Sequence, residues 1–370
     1  MKPYMPNELP LHDLDYKELF GLVGHANAEL ARYDGLLQGI PNPEVMLSPL
    51  TNQEAVLSSK IEGTQATVDE VLEHEAGIII KEAEKENDIQ EIVNYRMALY
   101  RSRDYLKDYP IRLGFICELH SILLDSVRGQ DKTPGDFRQD QNWIGKEGCK
   151  IEEATFIPPS PLILREHLSK WEVYMDFDDS DFLLQMAVVH AQFELLHPFK
   201  DGNGRIGRLL IPLFLYQKKA LSQPMFYLSE YLEANRDEYY QRLKSISEDG
   251  DWNGWIVFFL KAIAVQAQDN SARVKSIMTL YEEIKAQIQE TTHSQYTVYL
   301  LDAIFSRPIF KVSDLVKRLN SECGIHEKTT PGLLRQLREA GILRELQPGS
   351  GSRSAVLYFP RLIKSAEGRK

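Results

Sequence analysis

Twelve consecutive residues, HPFKDGNGRIGR at 197–208, combine side chains that suit phosphate binding and proton transfer. Gly202 and Gly204 let successive backbone N–H groups turn toward one point, and with a helix N-terminus they would form an anion nest. Arg205 and Arg208 are three residues apart and would share one helix face. Two like charges there are unfavourable unless a polyphosphate lies between them. This stretch therefore predicts a binding site for a nucleotide triphosphate.

A histidine and an acid precede the predicted nest. Asp201 is a lone carboxylate of the kind that binds Mg²⁺ when phosphate and water supply the remaining ligands. His197 is a candidate general base beside the phosphates, because the pKa of histidine is near neutral. Together these residues favour in-line attack by an incoming hydroxyl on the α-phosphate. The alternative is a glycine-rich turn between two helices, with a capping aspartate and two solvated arginines.

The same stretch contains G-x-G-x-x-G, formed by Gly202, Gly204 and Gly207. In a dinucleotide-binding fold this motif follows a strand and opens the helix of a β-α-β unit. Here the preceding residues, 180–199, are predicted to be helical. A P-loop is also disfavoured, because no Gly-Lys-Ser/Thr follows the glycines.

A second candidate lies upstream, in SSKIEG at 58–63. Ser58 and Glu62 would share one face near the C-terminal end of a predicted helix over 48–63, which Gly63 would terminate. A carboxylate at that end is opposed by the helix dipole and would be stabilised by a cation. On these residues alone, an exposed glutamate before a glycine cap is the alternative.

The elements that must position these residues are mostly helices, so the fold class is mainly α. Apolar residues recur at helical spacing in a series of segments: 48–63, 87–106, 111–127, 180–199, 205–219, 229–247 and 251–290. Residues 137–161 contain Trp143, two glycines and Pro158-Pro159, a pattern typical of a β-hairpin flap. After residue 290, three short helices and a strand–turn–strand pattern predict a winged helix-turn-helix.

Charge and composition separate the C-terminal part from the rest. From Gln295 onward there are 13 Lys and Arg against 7 Asp and Glu, whereas the preceding residues carry 30 against 47. The basic residues on and near the predicted third helix leave DNA binding by 291–370 open, beside protein docking and dimerisation. The chain has no signal-peptide pattern, no apolar run of the about 20 residues that span a membrane, and three widely separated cysteines. These features predict a cytoplasmic protein without a disulfide framework.

Residues His197 to Arg208 resemble the signature H-P-F-x-[D/E]-G-N-G-R-x-x-R of the Fic (filamentation induced by cAMP) family at every specified position. Residues 137–161 are similar to the Fic flap, and 227–243 to the helix that flanks the adenine pocket. The likeness therefore extends over 45–260. It implies a Fic-type helical bundle whose domains follow one another along the chain: an N-terminal helical region at 1–110, a catalytic core at 111–260, a connecting helix at 261–290 and the winged helix-turn-helix at 291–370.

The resemblance also implies an activity, the transfer of AMP from ATP to a Ser, Thr or Tyr hydroxyl of a target protein with release of pyrophosphate. It assigns His197 as the base and Asp201 as the Mg²⁺ ligand. The target main chain would pair with the flap as an added strand, around Ile144–Gly145 and Ile151–Ala154. The positions implied to bind the nucleotide are Gly202, Asn203, Gly204, Arg205, Ile206, Gly207, Arg208 and Asn235.

The upstream motif resembles the Fic inhibitory motif [S/T]-x-x-x-E-[G/N] at Ser58, Glu62 and Gly63. This implies that Glu62 pairs with Arg208 and takes the arginine away from the γ-phosphate, so that ATP binds only in an unproductive pose. Two other functions remain open at this point. One is a nucleotide-sensing DNA-binding regulator with little catalysis, and the other is a hydrolase that removes AMP from proteins. Self-modification and a homodimer are also compatible with the sequence.

Overall fold

The computed structural model describes residues 2–127, 132–146, 148–351 and 353–366. Glu147 of the predicted flap, and Ser352 and 367–370 of the predicted C-terminal domain, lie outside the described residues. In the part of the chain that is described, no helix is long and apolar enough to cross a membrane.

The fold is built mainly from α-helices, as predicted. The helices of the described residues are α1 (Tyr16–Gln38), α2 (Pro43–Met46), α3 (Ser48–Ile61), α4 (Val68–Glu75), α5 (Ala83–Tyr105), α6 (Leu113–Leu123), α7 (Pro161–Asp176), α8 (Phe182–Leu196), α9 (Asn203–Gln217), α10 (Ser229–Ala234), α11 (Arg236–Asp249), α12 (Trp252–Thr292), α13 (Thr297–Ser306), α14 (Val312–Cys323), α15 (Thr329–Glu339) and α16 (Pro360–Ala366). The strands are β1 (Ile309–Lys311), β2 (Arg344–Gln347) and β3 (Val356–Tyr358).

The chain divides into two compact units, each assembled from separate segments. The first unit comprises Met1–Gly35, Leu57–Thr64 and Gln90–Asp269, and the second comprises Leu36–Val56, Gln65–Ile89 and Asn270–Lys370. The contiguous domain boundaries inferred from the sequence stay predictions.

Helix α8 lies at the centre of the first unit. Asp181 begins the helix, because its carboxylate accepts hydrogen bonds from the backbone N–H groups of Leu183 and Leu184. The helix packs against α7, α9 and α11, which explains why its sequence is apolar on every side. Two buried tryptophans lie against it and donate their indole N–H groups to its carbonyls, Trp171 to Val189 and Trp255 to Ala187. The turn at the end of α8 is thus held on a rigid core.

The second unit contains a three-stranded antiparallel sheet in the order β1-β3-β2. Helix α13 packs against α2 and α14, and β1 packs against α4. The three short helices and the final hairpin follow the predicted order. Strand β1 was not predicted, because three residues between two helices carry too short an alternation to be recognised.

Two predicted elements differ in the structure. The helix expected over 229–247 is two helices, α10 and α11, which meet at Asn235. The hairpin expected over 137–161 is reduced, within its described residues, to one antiparallel bridge between Ile144 and Phe156. Between them Ile151–Glu153 forms a turn of 3-10 helix. Isolated two-stranded hairpins are marginal in water, and the glycines and prolines of this segment leave few residues able to pair.

Candidate functional site

The turn between α8 and α9 carries the residues of the signature and is locked by its own side chains. Helix α8 ends at Leu196, and His197 caps it with a left-handed backbone of φ 46° and ψ 61°. Phe199 is fully buried. The Asn203 amide accepts a hydrogen bond from the Phe199 N–H at 2.8 Å and donates to the Phe199 carbonyl at 2.9 Å. The Asn203 side chain thus closes the turn, and the phosphate contact that the resemblance assigns to this residue stays a prediction.

Helix α9 begins directly after this turn, so the predicted anion nest is present in modified form. Its first backbone N–H groups, from Asn203 onward, have no acceptor within the helix. Gly202 is left-handed, with φ 75°, but its N–H donates to Asp201 Oδ1 at 2.6 Å rather than pointing at a ligand. At Gly204 a methyl group would meet the Glu62 carboxylate and the Arg208 guanidinium. A carboxylate of the chain therefore lies at the helix end where a phosphate was expected.

Two predicted nucleotide-binding residues are not brought to this point. The Ile206 side chain is fully buried, and its N–H donates to the Gly202 carbonyl within the first turn of α9. Gly207 faces α8, where a side chain would meet Glu194, and its carbonyl is 3.1 Å from His190 Nδ1. Both residues allow α8 and α9 to pack closely.

Arg208 is held by the upstream motif. Its guanidinium donates from Nε to Ser58 Oγ and from Nη2 to the Ser58 carbonyl, both at 2.9 Å, and from Nη2 to Glu62 Oε1 at 2.6 Å. The Arg208 side chain is 1% exposed and that of Glu62 is 33% exposed. Gly63, with φ +102°, adopts the conformation that glycine favours at a helix end. The predicted pairing of Glu62 with Arg208 is thus present.

Electrostatics favour the charged form of this pair. Burial would raise the pKa of the Glu62 carboxyl, but the Arg208 guanidinium beside it outweighs burial and holds that pKa below its usual range. The nearby Glu62 carboxylate correspondingly raises the pKa of Arg208 despite the burial of the guanidinium. At neutral pH the two groups form a charge-assisted hydrogen bond.

Arg205 is held by a second carboxylate, which sequence reasoning missed. Its Nη1 is 3.2 Å from Glu91 Oε2, and both side chains are buried. The Thr64 hydroxyl donates to the same oxygen at 3.1 Å. Glu91 lies on α5, far from Arg205 in sequence, and no spacing pattern connects the two residues. The segment that carries Glu62 therefore contacts Arg208 directly and, through Thr64, the carboxylate partner of Arg205.

His197 has the environment of a neutral base. It is half-buried, and burial, followed by the nearby positive charge of Arg138, lowers its pKa to about 4 against the raising effect of the Glu194 carbonyl. Its Nδ1 is 3.4 Å from that carbonyl. In the tautomer that donates from Nδ1, Nε2 keeps its lone pair and can accept a proton.

His120, on α6, supports the acid of the signature and was also missed. It accepts the Gly135 N–H at Nδ1, 2.9 Å away, so the ring proton is on Nε2, which donates to the Asp201 carbonyl at 3.0 Å. Its ring stacks on Phe199 with centroids 3.8 Å apart. Burial lowers the pKa of His120 to about 4, so it stays neutral. A histidine on an apolar helix face gave no sequence signal for this role.

Asp201 is the side chain that could hold a metal ion. Its side chain is 44% exposed, and Oδ1 is 3.6 Å from Arg205 Nη2. Among the described residues, no group of three His, Cys, Asp or Glu side chains gathers into a metal site. This single carboxylate fits an ion such as Mg²⁺ whose other ligands are phosphate and water.

Asn235 lies apart from the signature turn in sequence, at the junction of α10 and α11. Its side-chain amide donates to the Tyr231 carbonyl at 2.8 Å, and its carbonyl accepts the Tyr239 N–H at 2.9 Å. These bonds connect the two helices. Its assignment to the nucleotide stays a prediction.

The chain matches two family models and several known proteins. The model described as Fic/DOC family N-terminal matches residues 20–104, and the Fic/DOC family model matches residues 110–215. A solved Fic family protein from Desulfovibrio desulfuricans G20 is 19% identical, with a TM-score of 0.57 over 96% of this chain and 98% of that chain. A Fic-domain-containing signaling protein from Bacteroides thetaiotaomicron is 17% identical, with a TM-score of 0.56 over 68% of this chain and 96% of that one.

Curated relatives match over about half of this chain. A probable protein adenylyltransferase of Aquifex aeolicus is 24% identical over 196 residues, which are 52% of this chain and 57% of that protein. The protein adenylyltransferase Fic of Drosophila mojavensis is 28% identical over 208 residues, which are 54% of this chain and 37% of that protein. The chain thus spans less than two thirds of the length of either relative. With two family models matched in succession and a shared helical fold, the chain belongs to the Fic/DOC family.

Proposed function

We propose that the chain is a protein adenylyltransferase, which transfers AMP from ATP to a Ser, Thr or Tyr hydroxyl of a target protein and releases pyrophosphate. The observation that carries this proposal is that one turn places a neutral histidine, His197, just before the N-terminus of α9, which carries two buried arginines. The names of the relatives in Aquifex and Drosophila support the same reaction.

In the proposed reaction His197 acts as the general base. Its Nε2 accepts the proton of the incoming hydroxyl, while the hydroxyl oxygen forms a bond to the α-phosphorus. The bond from that phosphorus to the bridging oxygen of the β-phosphate breaks, and pyrophosphate leaves with the electron pair. Because burial keeps the imidazole neutral, the base requires no prior deprotonation at neutral pH.

The remaining signature residues would bind the triphosphate. The first N–H groups of α9 would donate to phosphate oxygens, as Arg205 and Arg208 would from the same helix face. Asp201 would hold Mg²⁺ by its exposed carboxylate. The bound ion would neutralise phosphate charge as pyrophosphate leaves. His120 would keep the Asp201 backbone in place through its Nε2–H.

We further propose that Glu62 inhibits this reaction from within the chain. Its carboxylate lies beside Gly204, where a phosphate would bind, and accepts a hydrogen bond from Arg208, which would otherwise bind that phosphate. Productive binding of ATP requires Glu62 to leave. The Thr64–Glu91 hydrogen bond fastens the same segment at a second point.

The flap over 137–161 is the proposed binding surface for the target protein. The side chains of Trp143 and Ile144 are about two-fifths exposed there. The backbone of Ile144 is already paired, because its N–H donates to Phe156 and its carbonyl accepts from Thr155, both at 2.8 Å. Strand addition at Ile144 therefore requires these bonds to open, and Ile151–Glu153 would have to unwind from its turn.

The C-terminal helices and hairpin support a winged helix-turn-helix by their order, but not a DNA-binding function. Arg338 Nη2 is 2.5 Å from Glu345 Oε2, and Arg335 Nε is 4.0 Å from Glu339 Oε1. These acids neutralise the helix that would enter a DNA groove. We therefore leave DNA binding out of the proposal.

The experiment that tests the proposal uses ATP labelled at the α-phosphate and a cell lysate. The Glu62→Gly variant should transfer label to specific proteins in the presence of Mg²⁺, and mass spectrometry should locate one AMP on a hydroxyl side chain. Glu233→Gly is the matched control, because Glu233 pairs with Lys60, two residues before Glu62, and not with Arg208. It should transfer no more label than the wild type.

The same experiment separates the alternatives. Loss of AMP from proteins already labelled, without new transfer, would instead assign a hydrolase. Binding of ATP with neither transfer nor removal would assign a nucleotide sensor.

A further inference from the structure

The end of α8, where His197 lies, is held by a buried arginine outside the signature. Arg138 is 3% exposed. Its Nε donates to the His197 carbonyl at 2.9 Å and its Nη2 to the Leu196 carbonyl at 3.4 Å, while its backbone N–H donates to the Pro198 carbonyl at 2.9 Å. Three consecutive carbonyls at the helix end, which no helical N–H can reach, are thus satisfied by one residue.

The charge of Arg138 is compensated by carbonyls rather than by an acid. Among the described residues, no carboxylate lies within ion-pair distance of its guanidinium. Burial lowers the pKa of Arg138 to about 10, so it remains charged at neutral pH. The carbonyl end of a helix carries partial negative charge and suits a cation. Replacing the arginine by a neutral residue would therefore remove both charge and hydrogen bonds from the helix end.

The same guanidinium also contacts both ends of the flap. Its Nη1 donates to the Asp140 carbonyl at 3.2 Å, and its Nη2 donates to the Pro159 carbonyl at 2.6 Å. Asn142 adds a parallel link, because its amide donates to the Phe199 carbonyl at 3.2 Å. The flap and the signature turn are therefore joined through polar contacts rather than by chain connectivity alone.

His197 needs such support, because it has a left-handed backbone without being glycine. This conformation costs of the order of 1 kcal/mol or more for an ordinary residue and persists only when its surroundings enforce it. An alternative backbone at this residue would turn the imidazole away from the N-terminus of α9. Arg138 contacts the Leu196 and His197 carbonyls, which belong to the peptide bonds on either side of His197, and these contacts oppose that change.

We propose that Arg138 is a positioning residue that fixes the orientation of His197 and couples it to the two ends of the flap. The expected effect of Arg138 on kcat rests on the proposed function, whereas its effect on the orientation of His197 does not. Binding of a target along the flap would then affect the orientation of the His197 imidazole through the Arg138 guanidinium, without any contact between Arg138 and the substrate.

The test compares Arg138→Gln and Arg138→Lys with Arg165→Gln, all in the Glu62→Gly background. Arg165 is an exposed arginine on α7 and serves as the control. Arg138→Gln should lower kcat for AMP transfer about 10- to 100-fold, as expected when a base is misplaced. The dissociation constant for ATP should change less than about threefold, since the phosphate-binding groups remain. Arg138→Lys should lie between, because it keeps the charge but not the fork of donors.

A second readout does not depend on transfer. In NMR spectra of protein labelled at histidine nitrogens, His197 of the parent Glu62→Gly protein should report one tautomer and a titration well below the usual range of histidine, because burial lowers its pKa. In Arg138→Lys, averaged tautomer shifts of His197 are expected. This variant preserves the charge and remains available for the measurement if Arg138→Gln fails to fold. Unchanged His197 spectra in both folded variants would overturn the proposal, whether or not the parent transfers AMP. If the parent transfers AMP and Arg138→Gln has the same kcat, the proposed role of Arg138 in catalysis is overturned.

Discussion

The contact between Glu62 and Arg208 makes a quantitative prediction for nucleotide affinity. Under the proposed inhibition, the terminal phosphates of ATP compete in the wild type with the Glu62 carboxylate for the Arg208 guanidinium, which is 1% exposed. The hydrogen bond at stake, 2.6 Å from Nη2 to Oε1, is charged on both sides. Such bonds contribute about 1.5–3 kcal/mol. Glu62→Gly removes the competitor and should tighten ATP binding by that amount, which is about 10- to 150-fold in the dissociation constant.

Isothermal titration calorimetry with ATP and Mg²⁺ measures this change directly. Glu62→Gln should give an intermediate gain, because an amide oxygen still accepts from Arg208 but carries no charge. Glu233→Gln, which weakens the half-exposed ion pair to Lys60, is the matched control and should change affinity less than about threefold. A dissociation constant for ATP within about threefold of the wild-type value in Glu62→Gly would refute the competition, because removal of the carboxylate would then not have changed ATP binding.

Three further predictions concern the other charged groups of the site. Glu91→Gln leaves the buried Arg205 with only its longer contact to the exposed Asp201 carboxylate and should lower the free energy of unfolding by about 3–5 kcal/mol, seen as a lower urea midpoint. A loss below about 1 kcal/mol would show that the Glu91–Arg205 pair is not needed. Because the pKa of His197 is lowered to about 4, the base is neutral above that pH. The kcat/KM of the Glu62→Gly variant should therefore fall only as the pH drops toward 4. A fall centred near pH 6.5 would contradict a lowered pKa. Asp201→Asn can keep the hydrogen bond from the Gly202 N–H. It should lower the rate of AMP transfer at saturating ATP by at least about tenfold, with partial recovery at high Mg²⁺. An unchanged Mg²⁺ dependence would exclude Asp201 as the ligand.

The sequence predicted the signature turn well, because its chemistry is local. A histidine at the end of one helix, glycines before the next and arginines one turn apart are defined by spacing alone, and the structure brings them together. The upstream Glu62 was identifiable only through resemblance. Its own stretch was equally compatible with an exposed glutamate, and contact with Arg208 depends on how two distant helices pack.

The residues that sequence reasoning missed are those whose role depends on tertiary contacts. Glu91 reaches Arg205 from α5, and His120 reaches Asp201 from α6, with no motif in either helix. The resemblance assigned Asn203 to the phosphates, and the closing of the turn on Phe199 uses both ends of its amide. Competition between a ligand and the protein backbone for one polar group is not visible in spacing.

The flap shows a different limit. Its alternation and prolines indicated extended chain, and the bridge between Ile144 and Phe156 is present. Local turns at Lys150–Ala154 satisfy backbone groups that a hairpin would have paired. The predicted cytoplasmic location and homodimer have no counterpart within a single chain and stay predictions.

In the proposed mechanism His197 is the base for AMP transfer, and Glu62 restrains that transfer. Intact-mass spectrometry of the purified protein incubated with ATP and Mg²⁺, with and without added lysate, tests it most directly. Glu62→Gly should add the mass of one AMP to itself or to a lysate protein. The wild type should add little, and Glu62→Gly combined with His197→Ala should add none. Equal AMP transfer with and without His197, or no transfer by any variant that binds ATP, would overturn this mechanism.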